Sequence, residues 1–217
     1  KLFKRDQSGT KLTARGRQLL PFAERLVSIS NEMKAQLQDD APQQGVFRIG
    51  IADTVAHLWL RDLLKVWREQ HPLIQFELTI DLSLALYKQL EEHQLDLALM
   101  VYTGQAITVN TQPLSALPQT WVGSPHFAKG SRNMDITALS RCPILSFPAA
   151  TGPGKHLQEL FSQVVEKPKF HTSNSVSGLL AMAEQGAGIA LLPQPIVEDA
   201  LRAERLIAFN VDPAPPK

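Results

Sequence analysis

At 217 residues and 44% apolar content the chain is long enough for one large core or two smaller ones, with an ordinary charged fraction of 20%. No apolar run approaches the roughly 20 residues a membrane span needs, and Lys1–Arg5 leads into polar residues rather than a secretion-signal core, so a cytoplasmic protein without membrane contact is expected. The net charge of +1 conceals an asymmetry: residues 1–17 carry Lys1, Lys4, Arg5, Lys11, Arg15 and Arg17 against Asp6 alone, while the other 200 residues carry sixteen basic and twenty acidic groups. A basic leading edge on a mildly acidic body suits a truncated nucleic-acid reader, and a solvated charged terminus explains it equally.

Residues 13–38 read as one helix. Thr13 can cap it, and Leu19, Leu26 and Met33 recur every seven residues, with Phe22 and Ile29 three after the first two. Such a helix is about 38 Å long, bent locally by Pro21, and its narrow apolar stripe suits a partner helix better than a globular core. Asp39–Gly45 ends it as a linker.

From Val46 short apolar runs alternate with helical patterns. Strands are expected at Val46–Ile51, Gln75–Asp81 and Leu95–Val101, separated by helices at His57–Gln70 (Leu60, Leu63, Leu64 and Trp67 on one face) and Ala85–His93. This order implies a parallel sheet with helices on its faces. A strand at Thr120–Ser124 follows, where a crossing between lobes and a hinge are expected. A second unit then has strands at Ile144–Phe147, Lys169–Thr172, Gly188–Leu192 and Arg205–Phe209, with helices at Lys155–Val165, Val176–Gln185 and Ile196–Leu201, and an irregular proline-rich tail. Two α/β units imply two lobes and a cleft. Cys142, the single cysteine, excludes an internal disulfide, and its neighbours Pro143-Ile144-Leu145 mark a buried thiol acting as a small hydrophobe.

Leu2-Phe3-Lys4-Arg5 with Leu12-Thr13-Ala14-Arg15-Gly16 resembles the end of the winged helix-turn-helix of LysR-type transcription regulators, running into their linker helix. Phe47-Arg48-Ile49-Gly50-Ile51-Ala52-Asp53-Thr54 resembles the first strand of that family's effector domain, and Leu95-Asp96-Leu97-Ala98-Leu99 its third. Gln185-Gly186-Ala187-Gly188-Ile189-Ala190-Leu191-Leu192-Pro193 is similar to the second lobe's Gly-x-Gly-Ile-x-x-Leu-Pro signature. Four fragments in the right order are spaced over nearly the whole chain, although Asp96–Leu99 also suits any parallel strand and Gly186 any helix C-cap.

The resemblance implies an α/β fold: two Rossmann-like lobes of periplasmic-binding-protein type, preceded by a long linker helix. Residues 1–12 would be the remnant of the winged helix-turn-helix, 13–40 the linker and dimerisation helix, 45–122 lobe I and 123–217 lobe II. The recognition helix is absent from this stretch, and the family's final strand and helix would follow Lys217. The implied partners are a small-molecule effector, DNA in the full-length protein, and further copies in a homodimer or homotetramer, with no cofactor and no metal. Leu19, Phe22, Leu26, Ile29 and Met33 would pair the linker helices, and Lys4, Arg5, Lys11, Arg15 and Arg17 would contact DNA phosphates.

In the family the effector lies between the lobes at the strand C-terminal ends, where open α/β sheets generally take ligands. Position by position this implicates Asp53, Thr54, Ser83, Val101 and Tyr102 from the first lobe, and Phe147, Pro148, Thr151, Asn174 and Ser177 from the second. Thr54, Ser83 and Ser177 each precede or open a helix, so plain capping competes with binding. A helix N-terminus suits an anion, whereas Asp53 counts against a bare one unless it holds a ligand amine or stays out of the cleft.

Enzyme signatures are missing. Thr151–His156 fails as a phosphate loop, because it lacks Gly at Ala149 and Ser or Thr at His156. Gly186-x-Gly188 follows a helix and precedes a strand, the reverse of a dinucleotide fingerprint, and the six histidines show no metal spacing. A ligand-gated regulator is therefore the leading reading, ahead of a periplasmic-type solute-binding protein, against which the basic heptad-bearing start counts, and of a small α/β metabolic enzyme.

Overall fold

The two textures of the sequence fold differently in the computed structural model, which describes residues 2–6, 9–36, 45–101, 109–128 and 131–214. Strands β1 (Phe3–Asp6) and β2 (Gly9–Leu12) form an antiparallel hairpin that leads into helix α1 (Ala14–Gln36). The side-chain oxygen of Thr13 accepts from the Gly16 N–H at 3.1 Å, so the expected cap is present. Thr13 also donates from its backbone N–H to the Leu2 carbonyl, tying hairpin to helix. At 1.5 Å per residue α1 spans about 35 Å, with Pro21 inside it.

Lobe I is a three-stranded parallel sheet in the order β4-β3-β5: β3 is Gly45–Ala52, β4 Ile74–Asp81 and β5 Leu97–Leu99. Helix α2 (Asp53–Gln70) connects β3 to β4, and α3 (Ser83–Glu91) connects β4 to β5. The core gathers Ile49, Ile51, Val55, Leu86 and Leu95, and Trp67 of α2 stacks on Phe76 of β4 at 4.8 Å between ring centroids. Of the face expected on α2, Leu60 and Trp67 pack inward while Leu64 stays exposed. The helix also starts four residues ahead of the expected His57. Asp53 opens its first turn, where a carboxylate favours the positive end of the helix dipole.

Lobe II is a six-stranded mixed sheet in the order β7-β11-β6-β10-β8-β9. Its strands are β6 (Gln119–Gly123), β7 (Asn133–Asp135), β8 (Ile144–Ser146), β9 (Phe170–Thr172), β10 (Ile189–Pro193) and β11 (Ile207–Asp212). Helices α4 (Ile136–Ser140), α5 (Gly152–Leu160), α6 (Val176–Glu184) and α7 (Gln194–Arg202) cover it. Helices on both faces explain why β10 is an unbroken apolar run rather than an alternating one. One core layer centres on Leu145, Leu179 and Leu192, the other on Trp121, Phe161 and Phe209. Strand β6 runs antiparallel to both neighbours, β10 and β11, and is held along both edges. The expected boundary between residues 122 and 123 therefore falls inside β6, which lies wholly in the lobe II sheet. A strand clamped on both sides is a poor hinge.

Candidate effector-binding cleft

On the lobe I side each strand delivers its last residues to one rim. Asp53 and Thr54 are the first two residues of α2, and Thr54 is buried. The side-chain oxygen of Ser83, at the start of α3, accepts from the Val101 N–H at 3.1 Å, which ties the segments after β4 and β5 together. Tyr102 lies outside the described residues.

On the lobe II side Phe147 and Pro148 follow β8, half-buried. Thr151 Oγ1 accepts from the Gly154 N–H at 3.1 Å and donates to the Pro148 carbonyl at 2.7 Å, so its hydroxyl is spent on capping α5. A Cβ at Gly154 would overlap the Pro148 carbonyl, which is why glycine stands where α5 meets this loop. After β9, Asn174 and Ser177 are exposed, and the residue that caps α6 is Ser175, through the Gly178 N–H.

The lobes meet along α2, which packs on both α6 and α7. Asp53 Oδ2 accepts from the backbone N–H of Val176 at 2.5 Å, joining residues 123 positions apart. One turn on, His57 Nδ1 lies 3.4 Å from Ser177 Oγ. One residue further, Leu58 packs against the lobe II core formed by Val176, Leu179 and Val197. The structure thus brings Asp53 and Ser177 to the same place, and the partner it gives Ser177 is His57. Sequence reading missed His57 because the helix was expected to begin there. With α2 starting at Asp53, the i, i+4 spacing puts both residues on one face. Asp53 lies at the junction of the two lobes, bonded across it. The first turns of α2 and α6 converge on its carboxylate, each with its positive end.

Elsewhere, the linker stripe is bare: Leu19, Phe22, Leu26 and Ile29 are exposed, Leu26 at 70%, and the Met33 side chain lies outside the described residues. Helix α1 touches lobe I through Arg25, whose guanidinium is 2.8 Å from His93 Nε2, and through Glu24, 4.0 Å from Arg48. Lys4, Lys11, Arg15 and Arg17 are exposed on the hairpin and the first turn of α1, and the Arg5 side chain is outside the described residues. A groove of about 460 Å³ beside the second half of α2 is lined by Arg61, Lys65 and Arg68 together with Leu64 and Phe76. Cys142 is half-buried against the Trp121 core layer, and burial pushes its thiol pKa up, as for an inert thiol. Among the described residues no three His, Cys, Asp or Glu side chains cluster as a metal site, and no helix is long and apolar enough to cross a membrane.

Known proteins place this architecture. The family described as LysR substrate binding domain matches residues 40–217. The chain is 25% identical over 198 residues to YusT, an uncharacterized HTH-type transcriptional regulator of Bacillus subtilis, covering 91% of this chain and 65% of YusT. It is 27% identical over 196 residues to the HTH-type transcriptional regulator DgdR of Burkholderia cepacia, covering 90% and 64%. The chain therefore spans just under two thirds of either regulator. Among solved structures, ArgP from Mycobacterium tuberculosis superposes with a TM-score of 0.72 at 16% identity, over 96% of this chain and 70% of that one. The effector binding domain of QuiR in complex with shikimate gives 0.65 at 16% identity, over 81% and 83%. The structural likenesses establish the two-lobed fold, and the match from residue 40 to 217 establishes that the chain belongs to the LysR family and carries its substrate-binding domain.

Proposed function

We propose that the chain is the effector-sensing and oligomerising part of a transcription regulator, whose small-molecule effector enters between the lobes. The observation that carries the reading is the junction of α2 with α6, where the C-terminal ends of two sheets meet. That is where open α/β sheets take ligands. The effector binding domain of QuiR is solved in complex with shikimate and the regulatory domain of Synechocystis CcmR in complex with 2-PG, which fits a binding role rather than a catalytic one. In this reading Thr54, Ser83, Val101, Phe147, Pro148, Asn174 and Ser177 line the cleft. Thr151 contributes through α5 rather than by a free hydroxyl.

The exposed stripe of α1 pairs with a second copy, giving a homodimer or homotetramer. Lys4, Arg5, Lys11, Arg15 and Arg17 add sequence-blind phosphate contacts in the full-length protein, whose work on DNA places it in the cytoplasm. The test begins with a thermal-shift screen of metabolites, followed by calorimetry on any hit. Thr54→Val keeps the shape and removes the hydroxyl, and Ser177→Ala does the same across the cleft. Each should weaken binding by about 1–3 kcal/mol, the cost of an unpaired polar group on the ligand. Melting curves alongside must show both variants folded. Unchanged affinity in both would move the site elsewhere.

A further inference from the structure

We propose that Asp53 is the resident anion of the cleft: a tethered carboxylate that latches the two lobes without a ligand and reserves its seat against anionic effectors. The proposal rests on the cleft being the effector site, and it deepens that reading by naming an effector class. Such an effector is neutral or cationic at the end that meets Asp53.

The argument starts from unpaired donors. The first N–H groups of any α-helix lack intrahelical partners. In α6 the first internal bond is Leu179 N–H to the Ser175 carbonyl. Ahead of it, the Gly178 N–H is taken by Ser175 Oγ, a cap from the same lobe. The Val176 N–H is taken by Asp53 from the other lobe, and the carboxylate's charge makes this a stronger bond than a neutral acceptor would give. Asp53 also opens α2, so two positive helix ends share one carboxylate. Without that charge the two ends would face each other uncompensated. The junction is not a loose touch, because Leu58 packs into the lobe II core and His57 meets Ser177 beside it.

An effector carboxylate or phosphate aimed at this seat must break the Asp53 bond and then stand beside a like charge. An ammonium or a neutral donor can approach the same carboxylate and leave the bond to Val176 in place. The latch therefore favours the joined lobes and filters what joins them.

The experiment uses the 217-residue chain with acetate as the probe, against chloride at equal ionic strength. Asp53→Ala should melt below the parent and scatter X-rays as a more open particle. Acetate should reverse both effects, acting at concentrations at least about tenfold lower than any it needs on the parent, as expected for a charged hydrogen bond restored. Adding Val176→Pro removes the N–H itself. Proline is tolerated at the first helical position, and Ser175 already has the extended conformation (φ −117°, ψ 130°) that precedes proline. The double variant should lose the acetate response. An equal response in parent and Asp53→Ala overturns the proposal, as does a response that survives Val176→Pro. If Asp53→Ala does not fold, Asp53→Ser takes its place with the same comparison, since its shorter side chain vacates the seat and keeps a polar group at the helix start. An effector whose carboxylate sits on the Val176 N–H of the parent would refute the reserved seat yet leave the cleft reading standing. An acetate response in Asp53→Ala with an effector mapped outside the cleft would leave the latch standing and overturn the cleft reading together with the reserved seat.

Discussion

At Gly186 the backbone takes φ +76°, and the N–H groups of Gly186 and Ala187 turn back to the carbonyls of Ala183 and Met182. This is the left-handed helix end that glycine adopts without strain. Space is short as well: a Cβ here would overlap the ring of His126, which is packed on Phe127 at 4.0 Å and lies 3.1 Å from Ser124 Oγ. Gly186→Ala should therefore cost about 1–3 kcal/mol in urea unfolding, more than a surface change. Adding His126→Ala should recover the part due to overlap and leave the part due to φ. Full recovery would mean the backbone is not strained. Gly186 was legible because a helix stop has a local signature, glycine after the last periodic residue. The bond from Asp53 to Val176 was not legible, because no local pattern encodes a contact across 123 residues. Sequence could place Asp53 at a strand end and could not say what it touched.

At the scale of elements, period decided what could be read. Helix α1 follows its seven-residue stripe, and strands β3, β4 and β10 fall within a residue or two of the apolar runs that foretold them. Helix α4 went unseen because five residues are too few for a helical period, although Asp135 caps it, accepting from the Ala138 N–H at 2.6 Å. The start of α2 was displaced because Ala52 offers no capping side chain to mark it. Resemblance offered candidate effector positions, but that the Thr151 hydroxyl caps α5 was visible only in its Gly154 and Pro148 contacts. The bare stripe of α1 gives this scale its prediction. Leu26 is 70% exposed in the single chain, so Leu26→Asp removes little from the fold. In a helix pair it would bury an unpaired charge. Analytical ultracentrifugation should show a lower oligomeric state with an unchanged melting profile at low concentration. Identical sedimentation would mean the stripe is not an interface.

For the whole molecule, the two lobes are unequal partners. The lobe II sheet is self-contained: its six strands come from one stretch, Gln119–Asp212, with two core layers against its faces. Among the described residues the lobe I sheet has three strands and one core, and leaves Leu78, Ile80 and Val46 exposed. Helix α2 belongs to the smaller lobe by sequence and to both by packing, since its first two turns carry Asp53, His57 and Leu58 into the larger. That division has a consequence in time. Stability is lost unit by unit rather than all at once, and amide hydrogens record which unit opens first. The amides of β3, β4 and β5 should exchange with deuterium sooner than those of β6, β8 and β10. The first turns of α2 should be slower than its last, keeping pace with the lobe they are not part of. Equal exchange throughout would mean that the molecule opens as one body, and that α2 ties the lobes far more tightly than two hydrogen bonds and a leucine account for.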